Sequence, residues 1–336
     1  MAMDVTIRGA GIFGLSIGWA CARRGAKVRI VDPGGIGAGA SGGIVGALSP
    51  HVPENWNDKK AFQLSSLLMA EAWWAEAAGT GGGDPGYARS GRLQSIADDA
   101  ALARARDRAA NAQDLWQGRA VWKVVDRGPL GDWAPQSATG FVIHDTLSAR
   151  INPRAALDTL VRALCAKGGE IVADAPDAGV VIHATGYQGL QEAGVLGAGV
   201  KGQAALFRVD RRDAPQLFVD GLHIVPHADG TVAIGSTSER EWSDPSSTDG
   251  QLDQLVAKAR LAVPALADGE VIERWAGIRP RASSRAPILG EHPVFPGQFI
   301  ANGGFKIGFG MAPLIAEIMA DLVLTGEDRI PADFRA

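Results

Sequence analysis

The chain lacks the features that mark several common protein classes. Its 336 residues include only two cysteines, Cys21 and Cys165, with no C-x-x-C spacing, which argues against a disulfide framework or a cysteine-bound zinc ion. It has no uninterrupted run of 18 apolar residues, and a glycine-rich motif at residue 9 leaves no room for a secretory signal ahead of it. We therefore expect a cytoplasmic protein without integral membrane contact.

Positive charge is not in excess either. The 33 Lys and Arg residues are outnumbered by 37 Asp and Glu, for a net charge of −4, so no nucleic acid partner is expected. Neither a G-x-S-x-G elbow nor a Walker loop is present, so nothing favours hydrolysis or phosphoryl transfer. The 46% hydrophobic and 21% charged content is that of a globular protein, and the length predicts two domains.

Glycine, in contrast, is abundant. The chain has 44 glycines, about twice the ordinary share of roughly 7%. They cluster at residues 9–14, 34–46, 79–86 and 303–310. Clustered glycine indicates a backbone that turns tightly or approaches a ligand closely.

The first cluster lies in a strand, turn, helix, strand pattern over residues 5–32. The turn is Gly9-x-Gly11-x-x-Gly14, and the second strand ends at Asp32. In this pattern the first glycine permits the turn, the second lets a pyrophosphate approach, the third lets the helix pack on the strand, and the acid binds a ribose. The sequence therefore predicts a bound dinucleotide at the helix N-terminus, with NAD and FAD both open at this point.

The rest of the chain predicts an α/β nucleotide-binding domain interrupted by an antiparallel sheet domain. Short strands alternate over residues 201–236, and the last amphipathic helix is predicted at about residues 311–324. We expect a discontinuous nucleotide-binding domain of residues 1–55, 140–200 and 272–336, and a substrate domain of residues 56–139 and 201–271.

Further motifs follow the fingerprint in a fixed order. They are residues 39–47 (GASGGIVGA), A-T-G at 184–186, W-A-G-I-R-P with P-I-L-G within 275–290, and residues 301–308 (ANGGFKIG). On these motifs the chain resembles the D-amino-acid, glycine and sarcosine oxidase superfamily of FAD-dependent oxidoreductases. The resemblance spans both termini, and four motifs in order are far more specific than one.

The resemblance departs from the family pattern at three places. Ser284 stands where the family often has Asp, and Gly304 stands where it often has His. Residues 173–179 are a short link where relatives usually hold a longer β-meander. The hydrogen-bond shell of the flavin and the adenine contacts are therefore expected to differ from those of relatives.

The resemblance implies a Rossmann-like domain of the glutathione-reductase type with non-covalent FAD. It also implies that a substrate C–H delivers hydride to the flavin, giving an imine that hydrolyses. The substrate it implies is a small amino acid or secondary amine with a carboxylate. The residues implied to contact the cofactor are Gly9, Gly11, Ile12, Phe13, Gly14, Asp32, Ala40, Ser41, Gly42, Gly46, Ala184, Thr185, Gly186, Gly277, Gly303, Gly304, Phe305, Lys306 and Ile307.

Three residues are candidates for the catalytic site. The resemblance pairs Arg279 with a substrate carboxylate, and the planar guanidinium suits a two-bond contact; the alternative is a solvated basic loop with Arg281 and Arg285. Lys306 falls where relatives can carry an arginine near the flavin, and its alternative is a surface lysine. His51 follows Pro50 at the end of the flavin loop, the small-residue loop that begins at Gly39, and could face the substrate. Its alternative is a structural histidine.

Other readings remain open. His223-x-x-x-His227 has a helical metal spacing but lies on a predicted strand, so no metal is expected. Trp56, Trp242 and Trp275 fit either a substrate pocket or the core. Two alternative functions are a tRNA wobble-uridine-modifying oxidoreductase and a flavin subunit of a hetero-oligomeric dehydrogenase. Substrate identity, electron acceptor and oligomeric state stay open.

Overall fold

The computed structural model describes residues 3–192 and 196–335. The α-helices in this part of the chain are Ile12–Arg23 (α1), Asp58–Gly81 (α2), Asp99–Leu115 (α3), Pro153–Ala166 (α4), Gly186–Glu192 (α5), Gly250–Ala262 (α6) and Gly308–Thr325 (α7).

The strands, in chain order, are Asp4–Arg8 (β1), Lys27–Val31 (β2), Ala47–Leu48 (β3), Arg92–Ser95 (β4), Trp122–Asp126 (β5), Phe141–Asp145 (β6), Ala149–Arg150 (β7), Glu170–Val172 (β8), Val180–His183 (β9), Gly197–Arg208 (β10), Gln216–Val219 (β11), Leu222–Pro226 (β12), Thr231–Gly235 (β13), Glu270–Ala282 (β14), Ile288–Glu291 (β15) and Phe299–Asn302 (β16).

Six strands form a largely parallel sheet in the order β15-β16-β9-β1-β2-β8. β1 pairs in parallel with β2 and β9, β9 with β16, and β2 with β8, whereas β15 is antiparallel to β16. The chain extends to one side of β1 through β2 and to the other side through β9. In such sheets ligands bind at the carboxyl ends of the strands where the order reverses. The predicted α/β Rossmann-like fold is confirmed.

Eight strands form a second sheet in the order β14-β10-β13-β12-β11-β4-β6-β5. The predicted antiparallel pairing holds for most neighbours, but β4 and β11 are parallel, with Arg92 opposite Gln216. The sequence pattern did not predict this exception, because the periodicity of a strand carries no information on the direction of a distant partner. β10 and β14 form the longest pair and run well past their predicted ends.

The second sheet also includes segments that we expected in the nucleotide-binding domain. Phe141–Asp145 pairs with β4 and β5, and Ile278–Ala282 pairs with the start of β10. These segments therefore belong to the eight-stranded sheet and not to the sheet that carries the dinucleotide fingerprint. The domain division drawn from the sequence stays a prediction.

Side-chain caps distinguish two groups of helices. Asn57, Asp98, Asn152 and Asp249 cap α2, α3, α4 and α6, each accepting a hydrogen bond from a backbone N–H in the first turn. α1 and α7 begin after Gly11 and Ile307, and neither residue provides a side-chain cap. The first-turn N–H groups of these two helices therefore need partners from elsewhere.

The main core surrounds α7, which packs against α1 and α2. α7 begins at Gly308, three residues before its predicted start, because packing against α1 outweighs the weak helix propensity of glycine. Among the described helices, α7 is the one long and apolar enough to cross a membrane, and more than half of it is buried in this core. Glu317 of α7 forms ion pairs with Arg23 and Arg24 of α1.

Candidate functional site

The predicted cofactor motifs follow strands of the six-stranded sheet. Gly9 follows β1, Asp32 follows β2, Ala184 follows β9 and Gly303 follows β16. Because these four strands are parallel, their carboxyl ends lie along one edge of the sheet. The tertiary structure thus brings together four motifs that are far apart in the sequence.

The three fingerprint glycines have different physical reasons to be glycine. Gly9 has φ +110°, and a Cβ there would lie 2.3 Å from the carbonyl oxygen of Ala184. A Cβ on Gly14 would lie 1.9 Å from the carbonyl oxygen of Gly9. Gly11 has φ −84°, which any residue adopts, and its nearest neighbour would be the Ser41 Oγ at 3.1 Å. Protein packing therefore requires glycine at positions 9 and 14, but not at position 11.

A Cβ on Gly11 would instead fill the cradle between the first turn of α1 and Ser41. The Ser41 Oγ accepts a hydrogen bond of 3.0 Å from the backbone N–H of Ile12. The small-residue loop, residues 39–47, therefore lies directly over the N-terminus of α1. A glycine without a side chain beside the N–H groups of a helix N-terminus leaves room for the pyrophosphate of a dinucleotide.

Asp32 has its carboxylate oriented by backbone donors. Its Oδ2 accepts from Ala10 N at 2.7 Å, and its Oδ1 accepts from Gly34 N at 2.9 Å. Each carboxylate oxygen can accept a second hydrogen bond. Asp32 is therefore held at the end of β2 with acceptor capacity left for a ribose hydroxyl.

The first turns of α1 and α7 meet beside the same loops. A Cβ on Gly308 would lie 3.7 Å from the Ile12 side chain and 3.9 Å from the Phe13 ring. A Cβ on Gly304 would lie 2.7 Å from the Phe13 Cζ. The Phe13 ring thus occupies the space that any side chain at position 304 would need. This contact is the physical reason for glycine where the family pattern often has histidine.

This contact predicts that Gly304→Ala destabilises the protein through Phe13. Overpacking of this kind costs about 1–3 kcal/mol, and Phe13→Leu in the same chain should recover part of that loss. Urea unfolding of the single and double variants, with Gly79→Ala as control, measures the effect; a Cβ on Gly79, in the exposed part of α2, has nothing within 4 Å. Equal losses with and without Phe13→Leu contradict the contact.

Two other predicted cofactor glycines are explained by the protein itself. Gly46 has φ +67°, and its Cβ would lie 1.8 Å from the Ile151 carbonyl oxygen. A Cβ on Gly277 would lie 2.5 Å from the Trp275 indole. Their roles as cofactor contacts stay predictions, since packing alone accounts for the missing side chains.

One face of the eight-stranded sheet carries the remaining candidates. His223 is paired with Gly235, Gly235 with Ala204, and Ala204 with Trp275. Directly paired residues in neighbouring strands point to the same face. A Cβ on Gly43 would lie 3.2 Å from the Trp275 indole, so this face meets the small-residue loop.

Arg279 lies on the same face of β14 as Trp275, four residues along the strand. Its side chain is buried, with 9% of the residue exposed, and it donates to Ser236 Oγ, to the Thr237 carbonyl oxygen at 2.7 Å and to the Lys201 carbonyl oxygen at 3.1 Å. Its Nε has no hydrogen-bond partner. Burial lowers the pKa of Arg279 to about 10, so the guanidinium stays charged at neutral pH.

No carboxylate among residues 3–192 and 196–335 lies within ion-pair distance of Arg279. Glu239 raises its pKa from further away and accepts hydrogen bonds from Thr237 and Gln203. Burying a cation without an ionic partner is costly. The solvated-loop alternative therefore does not describe the environment of Arg279.

Lys306 and Arg281 approach the same aromatic ring as Arg279. The Phe305 ring centroid lies 5.3 Å from Arg279 Cζ, 5.7 Å from Arg281 Cζ and 5.7 Å from Lys306 Nζ. Lys306 is exposed at the end of this group, yet desolvation and, second, the charge of Arg279 lower its pKa. The structure thus brings Arg279 and Lys306 together.

His51 is held by a different set of contacts. Its Nδ1 lies 2.5 Å from Gln63 Oε1, and its backbone N–H donates to the same oxygen at 2.8 Å. Gln63 is buried and donates to the Ser49 carbonyl oxygen at 3.1 Å. Burial lowers the pKa of His51. These contacts describe a histidine that anchors the flavin loop, and a catalytic role for it stays a prediction.

The two histidines with helical metal spacing face different partners. His227 Nε2 lies 2.9 Å from the Ile44 carbonyl oxygen. His223 is on the site face, its buried Nδ1 has no partner, and burial lowers its pKa to about 3, so it is neutral. Sequence reasoning considered His223 only as a metal ligand and missed its position in the site.

Sequence reasoning also missed the residues that hold the loops. Asn302, which is buried, donates from Nδ2 to the Gly186 carbonyl oxygen at 2.8 Å and accepts from Gly303 N at 2.8 Å. Arg154 donates to the Gly42 carbonyl oxygen at 2.9 Å and pairs with Glu273 of β14. Asn302 had a signal in the A-N-G-G motif, whereas nothing near Arg154 indicated its partners.

Comparison with known proteins gives a match over nearly the whole chain. The family model described as DAO, FAD dependent oxidoreductase, matches residues 4–322. The glycine oxidase of Geobacillus kaustophilus is 27% identical over 372 aligned positions, covering 95% of this chain and 92% of that protein.

Two solved structures share the fold of the whole chain. The glycine oxidase of Geobacillus kaustophilus has a TM-score of 0.86 and 22% identity, covering 99% of this chain and 98% of that one. The iminodiacetate oxidase of Chelativorans sp. BNC1 also has a TM-score of 0.86, with 23% identity and 98% of each chain covered. At these identities the likeness establishes the architecture.

Proposed function

Because the chain belongs to the DAO family of FAD-dependent oxidoreductases, we propose that it oxidises a small amino acid or N-substituted glycine at the carbon that bears the amine. FAD is the cofactor and, when bound, accepts the hydride from the substrate. This proposal keeps the expectations of a cytoplasmic location, of no nucleic acid partner and of a substrate with a carboxylate.

The observation that carries the proposal is that Arg279 is buried and has no ionic partner over residues 3–192 and 196–335. Its hydrogen bonds to Ser236 Oγ and to the Lys201 and Thr237 carbonyl oxygens orient the guanidinium. These bonds use three of the five N–H donors of arginine. The Nε–H and one Nη1–H are left for a substrate carboxylate, which would supply the missing negative charge through charge-assisted hydrogen bonds. Arg279 would then fix the amine-bearing carbon of the substrate in a single orientation.

One half-reaction balances with bound FAD as the two-electron acceptor and water as the second reactant, and each further turnover needs an electron acceptor that reoxidises the flavin. One C–H bond of the substrate breaks as a hydride, the amine loses a proton, and a C=N bond forms. Water then adds to the C=N bond and the C–N bond breaks, giving an oxo acid and a free amine. No protein base is required if the amine binds in its neutral form, and a pocket that excludes water favours that form.

The residues proposed to hold FAD are those at the edge of the six-stranded sheet. Gly11, Ser41 and the first turn of α1 are proposed to hold the pyrophosphate, and Asp32 the ribose. The closing loop, residues 303–307, and the start of α7 are proposed to face the flavin. Cys21 is buried in α1, where burial raises its pKa to about 12, which supports non-covalent binding.

The proposal predicts flavin reduction by amino acids in the absence of oxygen. We expect glycine, sarcosine or a small D- or L-amino acid to bleach the visible absorbance of the purified yellow protein, with release of one oxo acid per flavin. Stopped-flow absorbance and trapping of the oxo acid with a hydrazine measure both. The matched controls are methylamine and dimethylamine, which are glycine and sarcosine without the carboxylate. Bleaching by these amines at the rates of their parent acids contradicts the proposed role of the carboxylate.

A further inference from the structure

We infer that the substrate carries a second carboxylate, bound by Lys306 and Arg281 beside the carboxylate held by Arg279. This inference rests on the proposed function and narrows its substrate class to amines with two carboxylates. The observation is the group of three cations around Phe305, which we call the cationic site. The chemistry of oxidation is unchanged.

The cationic site is built by the fold. Arg279 and Arg281 are two residues apart on β14, so they point to the same face of the sheet. The Phe305 backbone N–H donates to the Pro280 carbonyl oxygen at 2.9 Å, and Gly304 forms a β-bridge with Arg281. The closing loop is thus fastened to β14 between the two arginines, which places Lys306 beside them.

The three cations have no acidic partner in the part of the chain that the structure describes. Throughout the described ranges, no carboxylate is within 4.0 Å of Arg279, Arg281 or Lys306. The chain as a whole is acidic, with a net charge of −4, so the excess of positive charge is local. Arg24, for comparison, pairs with both Glu317 and Asp321.

Gathering like charges in a partly desolvated place costs free energy. Desolvation and, second, the charge of Arg279 lower the pKa of Lys306, and the second cause is this repulsion. One substrate carboxylate would neutralise Arg279 and leave the other two cations uncompensated. Two separate cationic groups suit two separate carboxylates on one short amine, because each anion then has its own donors.

The first test measures binding without turnover. Oxydiacetate has an ether oxygen in place of the amine, so it has no N–H from which an imine can form, and its monoamide has nearly the same shape with one charge fewer. We expect oxydiacetate to bind the FAD-loaded enzyme at least about tenfold more tightly than the monoamide, measured as a perturbation of the flavin spectrum. Added salt should reduce this ratio, since Lys306 is exposed.

Variants then assign the second carboxylate to its partners. Lys306→Met and, separately, Arg281→Gln remove a charge and keep much of the side-chain volume. Each should lower the oxydiacetate-to-monoamide affinity ratio several-fold toward one. The control is Lys27→Met, because exposed Lys27 lies at the start of β2, at the opposite edge of the sheet from the site, and its ratio should match the wild type.

Turnover of matched substrates gives the second readout. We compare the kcat/KM for iminodiacetate with that for its monoamide. We also compare the kcat/KM for each enantiomer of aspartate with that for the same enantiomer of asparagine. A preference for the diacid that Lys306→Met reduces supports the inference. Equal binding and equal turnover of diacid and monoamide by the wild type, or a variant that lowers both equally, overturns it.

The failure of this inference differs from a failure of the proposed function. If glycine or sarcosine reduces the flavin as well as any diacid does, the inference of a second substrate carboxylate is wrong and the proposed amino-acid oxidase function stands. If no amine with a carboxylate reduces the flavin, the proposed function itself is wrong. The oxydiacetate measurement is independent of turnover. It therefore shows whether the enzyme prefers a second carboxylate even if no tested amine is oxidised.

Discussion

Gly11→Val should weaken the binding of FAD and leave the fold intact. The backbone at Gly11 has φ −84° and ψ −174°, which valine adopts readily, and the nearest protein atom to an added Cβ is Ser41 Oγ at 3.1 Å. The branched side chain would therefore occupy the cradle proposed for the pyrophosphate rather than collide with the backbone. Overpacking costs of about 1–3 kcal/mol correspond to a loss of FAD affinity of up to about 10²-fold.

The measurement compares cofactor binding with the stability of the FAD-free protein. The 450 nm absorbance of the purified variant reports retained FAD, titration gives the Kd, and thermal unfolding of the apo forms gives Tm. The matched comparison is Gly14→Ala, whose Cβ would lie 1.9 Å from the Gly9 carbonyl oxygen. We expect Gly14→Ala to lower the apo Tm and Gly11→Val to leave it close to wild type. Normal FAD content in Gly11→Val would mean that residues 9–14 are only a turn.

Arg279→Ala should lower kcat/KM for a carboxylate substrate by about 10²–10⁴-fold, because two charge-assisted hydrogen bonds are each worth roughly 1.5–3 kcal/mol. Arg279→Lys keeps the charge and loses the planar fork, so its activity should be intermediate. FAD content should stay near normal in both variants, since the guanidinium is proposed to bind substrate. A substrate analogue without a carboxylate should react equally poorly with wild type and Arg279→Ala.

Gly202→Ala provides a companion test that keeps the arginine. A Cβ at Gly202 would lie 2.6 Å from the guanidinium carbon of Arg279. The guanidinium is the far end of a long side chain, so we expect it to shift while the strand holds. KM for the carboxylate substrate should then rise more than kcat falls, with FAD content unchanged. Wild-type kinetics in both Arg279→Ala and Gly202→Ala would place Arg279 outside the substrate site.

Local sequence patterns were sufficient for the cofactor-binding half of the protein. The fingerprint from Gly9 to Gly14, the strand that ends at Asp32 and the closing loop each depend on residues that are neighbours in the chain. Glycine spacing and strand or helix periodicity are written in such short segments. The order of the motifs carries the family resemblance, which implied the Rossmann-like fold and FAD, and the fold and the family match confirmed both.

The parallel pairing of β4 with β11 joins Arg92 to Gln216, more than a hundred residues along the chain. The place of β6 in the eight-stranded sheet depends on β4, where Arg92 stands opposite Asp145, about fifty residues away. Pairing direction is set by which edges meet in the folded chain, so no local pattern contains it. The same holds for Gly304, whose missing side chain is explained only by the Phe13 ring packed against it.

The sequence by itself determined the class of cofactor and the fold of its domain, and the family resemblance carried by its motifs named Arg279 as the candidate anion-binding residue. Only the tertiary structure decided that Arg279 is buried with no acidic partner among the described residues, that Arg281 and Lys306 join it around Phe305, and that His51 is held by Gln63. The physical reason is that burial and charge compensation depend on every group that surrounds a side chain. Those groups come from α2, β10, β14, the segment after β13 and the closing loop, which meet only when the chain has folded.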